Sequence, residues 1–417
     1  VPDSDSQRLP STFWRHLGAS AISNLGDGMV AAAGPLLALT LTDDVRLISL
    51  VSFASMVPWL ILSLPLGVVI DRVERRRLLV ISSSSRGVLY AVIAFLVTTD
   101  RLTIFSLIVL VGLIASFEVV FDMAAQAFLP SIVEPGQLER ANGRLYSVEV
   151  ITNSFVGLPV GAMLFAVSMS LPFGLQTLAL LLAAVLISTL RPKHPHQPVS
   201  NRGTSVWSEI ALGLKWLRRH RLLRLLAVLL GLVNMAHMFA ASIFAKFARD
   251  VLGIGTRGFG FLLGASAVGA IVGGLVGDRI AKRLGPAVAL VLSYAMFAVL
   301  DLLPGLFPNV IVVVVAGTLM SVFGTTWNVL TVSLRQRLIP PELFGRVNSV
   351  YRFIGTGSTA IGAVVGGQIA FGLGLRATYL VSGTILLAVL AISGPSLLRY
   401  GRTYMAPERT PAPPSMT

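Results

Sequence analysis

The sequence predicts an all-α integral membrane protein, with twelve transmembrane helices in two pseudo-symmetric six-helix bundles. Three observations predict it. Of the 417 residues, 54% are hydrophobic and 12% are charged, against about 25% charged in a soluble domain. The apolar residues gather in continuous runs that reach or exceed the roughly 20 residues a helix needs to cross a bilayer. Finally, one charged stretch occurs twice. Gly67-Val68-Val69-Ile70-Asp71-Arg72-Val73-Glu74-Arg75-Arg76 and Gly274-Leu275-Val276-Gly277-Asp278-Arg279-Ile280-Ala281-Lys282-Arg283 both read Gly-x-x-x-Asp-Arg-x-x-basic-Arg. The two Asp residues lie 207 positions apart, half the chain. A fixed-offset copy flanked by spans on both sides indicates an internal duplication.

Reading apolar runs between charge and Pro/Gly breaks gives spans at 13–41, 45–70, 76–99, 102–129, 140–167, 171–190, 222–250, 257–281, 286–304, 309–337, 344–372 and 376–398. The runs are continuous rather than alternating, which excludes a β-barrel. Those longer than the minimum predict tilted or protruding helices. The connection from Arg191 to Arg221 holds Pro192, Pro195 and Pro198, then an amphipathic stretch Trp207–Arg219. It reads as a linker followed by a short helix at the membrane face. The expected organisation is a first bundle over 1–190, a linker over 191–221, a second bundle over 222–400 and a Pro-rich disordered tail over 401–417.

Charge placement sets the orientation. Alternate loops hold Arg72, Arg75, Arg76, Arg77, Arg140, Arg144, the cluster from Arg191 to Arg224, Arg279, Lys282, Arg283, Arg335, Arg337 and Arg346. The opposite loops hold little beyond Arg46, Arg101, Arg249, Arg257 and Arg376. The basic side is expected to be cytoplasmic, with both termini on it. The net charge of +14 therefore reads as a topology signal and not as a nucleic-acid footprint. The chain has no cysteine, so disulfides and thiolate metal sites are excluded. It has no phosphate loop of the Gly-x-x-x-x-Gly-Lys-Ser/Thr kind, no catalytic triad and no metal-ligand spacing. No enzyme activity, cofactor or metal is expected, and no cleavable signal peptide is evident.

The duplication extends further. Arg140-Ala141-Asn142 after the fourth span matches Arg346-Val347-Asn348 after the tenth, and Asn24-Leu25-Gly26-Asp27 has a looser echo in Asn234-Met235-Ala236-His237. Charges inside the hydrocarbon core are costly and usually functional. Asp27, Arg86, Glu118, Asp122 and Glu149 fall well inside spans. Asn24 and Asp27 share one helix face, and Glu118 and Asp122 share another. If the faces meet, the cavity is acidic, suited to cationic substrates or to protons. Glu118 and Asp122 serve equally well as structural partners of Arg86, and Glu149 as the partner of a cytoplasmic Arg. His237 is a candidate for proton transfer, although a lone His in an apolar helix more often packs and hydrogen-bonds.

On these landmarks the chain resembles the major facilitator superfamily over nearly its whole length. Leu25-Gly26-Asp27-Gly28, Pro65-Leu66-Gly67 and Pro341-Glu342-Leu343-Phe344-Gly345-Arg346-Val347-Asn348 make it most similar to the bacterial exporters of macrolides, tetracyclines and enterobactin. The resemblance implies a monomeric transporter of the bacterial inner membrane, exporting amphipathic drugs or hydrophobic metabolites in exchange for protons. A dedicated metabolite exporter, an importer or facilitator, and a membrane sensor built on a transporter fold are the alternatives. Read with the charges placed inside the spans, Asn24, Asp27, Arg86, Glu118, Asp122, Glu149 and His237 are the candidates for the coupling and substrate cavity of such a transporter. The resemblance also implies a cytoplasmic gate made of Gly67, Asp71, Arg72, Arg75 and Arg76, their copies Gly274, Asp278, Arg279, Lys282 and Arg283, and Arg346. There Asp71 is expected to meet the start of the eleventh span at Arg346, and Asp278 the start of the fifth near Arg140. One departure stands out. Where many antiporters carry a Gly-Pro pair in the fifth span, this chain reads Gly157-Leu158-Pro159-Val160-Gly161.

Overall fold

A computed structural model describes residues 9–190 and 206–405, without the side chains of 63–65, 67–69, 71–72, 206–210, 266–267, 278, 281, 341–342 and 401–405. Among the described residues, twelve helical spans are long and apolar enough to cross a bilayer. The first half comprises α1 (Ser11–Leu41), α2 (Val45–Arg72), α3 (Arg75–Thr98), α4 (Ile104–Phe128), α5 (Leu138–Glu149), α6 (Leu158–Val167) and α7 (Leu171–Ser188). After α8 (Val206–Arg219) come α9 (Arg221–Ala241), α10 (Phe244–Asp250), α11 (Thr256–Leu284), α12 (Pro286–Leu306), α13 (Val310–Leu338), α14 (Pro341–Leu373) and α15 (Leu375–Met405).

Local chemistry sets several boundaries. Thr103 and Ser106 form a reciprocal capping box that starts α4, satisfying two backbone N–H groups that have no helical partner. Gly285, at φ +80°, both ends α11 and precedes Pro286 at the head of α12. A left-handed Gly followed by Pro is the arrangement that stops one helix and starts the next.

Two spans expected to be continuous are interrupted. The seventh breaks at Ser242 and Ile243, between α9 and α10. In the fifth, Val150–Gly157 is π-helical and joins α5 to α6. Pro159 lies two residues on and has no N–H to return to the carbonyl of Phe155, so the wider turns lie where the α-helical ladder is already incomplete. A methyl group on Gly28 would collide with the Asn153 carbonyl, and one on Gly157 would lie 2.8 Å from the Leu25 carbonyl. These two glycines let α1 and the fifth span touch backbone to backbone. Pro159 and Leu158 in turn seat against Gly260 of α11.

The two halves repeat one packing scheme. In the first, α3 packs on α7 and α4, α2 on α4, and α1 on α7 and the fifth span. In the second, α12 packs on α15 and α13, α11 on α13, and α9 on α15 and α14. The contacts between halves are paired as well: α2 meets α14, and α11 meets α6. Gly269, Gly273 and Gly277, one turn apart, bring α11 onto Thr318, Val322 and Thr326 of α13. Apolar side chains such as Phe105, Val185, Ile311 and Ile392 point outward and exposed, as lipid contact requires and water would not tolerate over so wide an area.

At the end of the bundle away from α8, polar contacts tie the halves together. Asp43 accepts from Lys246 Nζ at 3.1 Å and Arg249 Nη2 at 2.7 Å, and the Arg46 guanidinium lies 3.9 Å from the Phe371 ring centre. At the other end, α8 turns its apolar face to protein. Leu217 is buried among Leu222 and Leu223, and Gly213 lies against the Arg346 carbonyl. The helix α15 runs on to Met405, one turn past the boundary expected at 400. Residues 191–205 and 406–417, the Pro-rich linker and tail, lie outside the described residues.

Candidate functional site

The first half surrounds a buried guanidinium. Arg86, on α3, is 1% exposed. A charge this deep must be paired and hydrogen-bonded to persist. It donates through Nη2 to Asp27 Oδ1 at 2.5 Å, and Glu118 Oε2 lies 3.9 Å from the same nitrogen. Asp27 also accepts from Gln176 Nε2 of α7 at 2.7 Å and from Ser23 Oγ at 3.3 Å. Four helices therefore converge on one carboxylate and one guanidinium. The cluster is not sealed. Asp27 and Glu118 line a cavity of about 420 Å³ together with Tyr90, Asn153, Phe173 and Met238. The Asp27 side chain is 21% exposed and that of Glu118 is 40%.

The other expected members divide. Asp122 lies one turn beyond Glu118, half-buried, and forms none of the described ion pairs. Glu149 is exposed at the end of α5 and likewise forms none of them. Asn24 shares the α1 face with Asp27 but donates to the Ser20 carbonyl at 2.9 Å, within its own helix.

His237 belongs to a second cluster in the other half. Its Nδ1 lies 3.5 Å from Asp301 Oδ1, and Ser382 Oγ donates to Asp301 Oδ2 at 2.5 Å. Asp301 is buried, whereas the His237 side chain is 54% accessible and faces a cavity of about 300 Å³ lined by Asn234, Phe297, Trp327 and Asn328. His237 is thus a paired histidine rather than a lone one. Asp301, Gln176 and Ser382 were missed as candidates. Asp301 sits inside an apolar run, the criterion that picked out Asp27, while Gln176 and Ser382 carry no charge to mark them.

The signature stretches are less uniform than their sequences. Arg75 Nη1 donates to the Ala127 carbonyl at 2.7 Å. Arg76 reaches Glu74 at 3.1 Å and the Leu190 carbonyl at 3.1 Å. Both bind within their own half. Arg279 Nη1 returns to the Leu275 carbonyl of its own helix at 2.9 Å. Lys282 and Arg283 are exposed, Arg346 is half-buried, and Gly274 has open space where a Cβ would go. Gly67, Asp71, Arg72 and Asp278 sit on helical backbone, but their side chains lie outside the described residues, and so do the contacts expected of them.

Comparisons with known proteins agree with this architecture. The family model MFS_3, described as transmembrane secretion effector, matches residues 8–415. The multidrug efflux pump Tap of Mycobacterium tuberculosis (strain ATCC 25618 / H37Rv) is 25% identical over 382 residues, covering 87% of this chain and 88% of its own. The enterobactin exporter EntS of Escherichia coli O1:K1 / APEC is 26% identical over 326 residues, covering 76% and 74%. Among solved structures, a mutant of the nucleoside transporter NupG superposes with a TM-score of 0.79 at 11% identity, covering 93% of this chain and all of that one. A bacterial homologue of the iron transporter ferroportin, in an inward-facing state, gives 0.73 at 16% identity, covering 95% and 100%. These two likenesses carry the fold. Twelve spans in two matching bundles and a family match over almost every residue lead to one assignment: the chain is a major facilitator superfamily transporter, a member of the transmembrane secretion effector family.

Proposed function

We propose that the protein exports amphipathic small molecules in exchange for protons, with Asp27 as the coupling residue. One observation carries the reading: Asp27 is held by Arg86 and Gln176 yet remains open to the cavity. A carboxylate in that position has two ways to be satisfied. It keeps Arg86 as its counter-ion, or it takes a proton and frees the guanidinium for Glu118, already 3.9 Å away. A cationic or hydrogen-bonding substrate competes with the proton for the same acidic wall. Binding of one then expels the other, and inward proton flow drives outward substrate flow as the two bundles rock about the site. The distant likeness to the efflux pump Tap supports a drug-like substrate. The likeness to EntS supports a second reading, a dedicated exporter of one endogenous metabolite.

The signature stretches serve as the cytoplasmic gate in this scheme, with Asp71 meeting the start of α14 and Asp278 the start of the fifth span when that side is closed. The basic side and both termini then face the cytoplasm of a bacterial plasma membrane.

Asp27→Asn tests the coupling. The amide keeps the size and accepts from Gln176, so the protein folds, but gradient-driven efflux in proteoliposomes is lost. Proton-driven transport at the wild-type rate by this variant overturns the assignment. A compound panel in an efflux-deficient host separates the readings: several unrelated drugs favour multidrug export, a single metabolite the dedicated exporter.

A further inference from the structure

Among its described residues, the second half holds a cation with no acid beside it. Arg335, near the end of α13, is half-buried. Its Nη1 donates to Asn348 Oδ1 at 2.9 Å, its Nε to the Thr331 carbonyl at 3.4 Å, and its guanidinium lies 4.7 Å from the Tyr351 ring centre. No described carboxylate contacts it. Arg352 follows Tyr351 on α14, is exposed, and forms none of the described hydrogen bonds or ion pairs. Both arginines line one cavity of about 380 Å³, with Trp59 of α2 across from them. This is the reverse of Arg86, whose buried charge is met by Asp27 and Glu118.

The cavity has neighbours on both sides. Asn234 and Leu230 line it and also line the adjoining aromatic cavity of Phe297 and Trp327. Met56 lines it and also the acidic cavity of the first half. A guanidinium offers a planar fork of donors matched to a carboxylate. The described contacts of Arg335, amide, carbonyl and aromatic, leave its net charge unneutralised, so a bound anion gains what a neighbouring Asp or Glu would otherwise supply.

We propose that Arg335 and Arg352 form an anion subsite, which takes the carboxylate of a substrate whose aromatic part lies against Trp327 and Phe297. The proposal rests on the export reading and narrows it to amphoteric or anionic aromatic molecules, in contrast to the plain cations that the acidic wall alone would select. An amphoteric molecule engages both halves at once, its cation toward Asp27 and Glu118 and its anion toward Arg335.

The test uses a carboxyrhodamine dye and its methyl ester, in which one added methyl group removes that charge. Binding to the purified full-length protein in detergent is read by fluorescence anisotropy, and export by dye movement in proteoliposomes with a proton gradient. The wild type binds the acid more tightly than the ester. Arg335→Gln weakens the acid by about tenfold or more, the range of a lost charged hydrogen bond, and leaves the ester within about twofold. Arg335→Lys retains the charge and falls between. If Arg335→Gln loses both dyes, Arg352→Gln decides, because that exposed side chain forms none of the described hydrogen bonds or ion pairs: acid-selective weakening supports the subsite, and its absence overturns it. Equal wild-type affinities for acid and ester overturn the subsite whatever the vesicles show. Acid-selective binding without gradient-driven export overturns the export reading and leaves the subsite standing.

Discussion

The two halves solve the same packing problem with opposite charges. In the first, a trio links the first, third and sixth spans: Asp27 on α1, Arg86 on α3 and Gln176 on α7. In the second, a trio links the seventh, ninth and twelfth: His237 on α9, Asp301 on α12 and Ser382 on α15. Gln176 and Ser382 are 206 positions apart, the offset of Asn142 and Asn348. The acid stands on the leading span of one half, and the base on the leading span of the other. Duplication therefore preserved where polar groups enter the core and let their identities diverge. The consequence is asymmetric. Arg86 carries a fixed charge that its neighbours must always answer, whereas His237 carries one only when protonated and sits half-accessible at a cavity wall.

That contrast is broken most sharply at Arg86. Replacing it by Met leaves Asp27 and Glu118 without their cation in the interior. Breaking a buried pair from one side costs about 3–5 kcal/mol, so Arg86→Met is expected to lower the unfolding midpoint in detergent more than any other single change in either trio. A midpoint near the wild-type value would mean that water already screens the cluster.

Close approach between helices gives the next effect. Gly28→Ala places a methyl group against the Asn153 carbonyl of the π-helical stretch, backbone that cannot give way as a side chain would. Overpacking of this kind costs about 1–3 kcal/mol. Gly274→Ala meets nothing, and the gain in helix propensity makes it neutral or stabilising by up to about 1 kcal/mol. Equal losses at both sites would show that the signature glycine has a packing role that the described contacts do not contain.

In the second trio the effect is smaller. Asp301→Asn keeps an acceptor for Ser382 and removes a charge that is answered only when His237 is protonated. A loss of about 1–2 kcal/mol is expected, the scale of one buried hydrogen bond weakened rather than orphaned. His237→Gln, which keeps a donor at the cavity wall, is expected to retain proton-driven transport within about fivefold, in contrast to Asp27→Asn. Loss of coupling in His237→Gln would move the proton site to the second half.

Much of this was legible in the chain itself. Hydropathy alone located twelve spans, because a bilayer imposes length and composition on each helix separately. The repeated Gly-x-x-x-Asp-Arg stretch exposed the duplication. Arg86, Asp27 and Glu118 were legible as costly charges in apolar runs, and proximity joined them. The broken spans were harder to read. The π-helical stretch depends on how the backbone around Pro159 meets Gly28 on another helix, a tertiary fact with no local periodicity. Gln176 and Ser382 were invisible because an uncharged polar residue in a span costs too little to stand out. Asp301 was visible in principle, and pairing a ninth-span acid with a seventh-span histidine required the fold.

The smallest effect lies at the far end of the bundle, where Asp43 joins the halves through Lys246 and Arg249. The Asp43 side chain is 83% exposed, so water and salt screen these pairs. Hydrogen bonds from Arg249, then from Lys246, hold its carboxyl below the usual carboxylate range. A group whose pKa is lowered by a contact supports that contact fully above its ordinary value, about 4, and loses it as the pH falls through the lowered one. The tie is therefore intact across the physiological range, and mild acidification does not release it. Spin labels placed on the two halves at this end should give the same distance distribution at pH 7.5 and pH 5, and Asp43→Asn should reproduce at pH 7.5 the change that wild type shows only below about pH 4. Arg249 Nη1 also reaches the Leu39 carbonyl at 3.4 Å, a link across the halves that does not titrate. The variant should accordingly shift the balance of open and closed forms by less than about fivefold, the range of an exposed pair. A change of distance between pH 7.5 and pH 5 in wild type, absent in Asp43→Asn, would show that Asp43 titrates well above the lowered range its contacts imply.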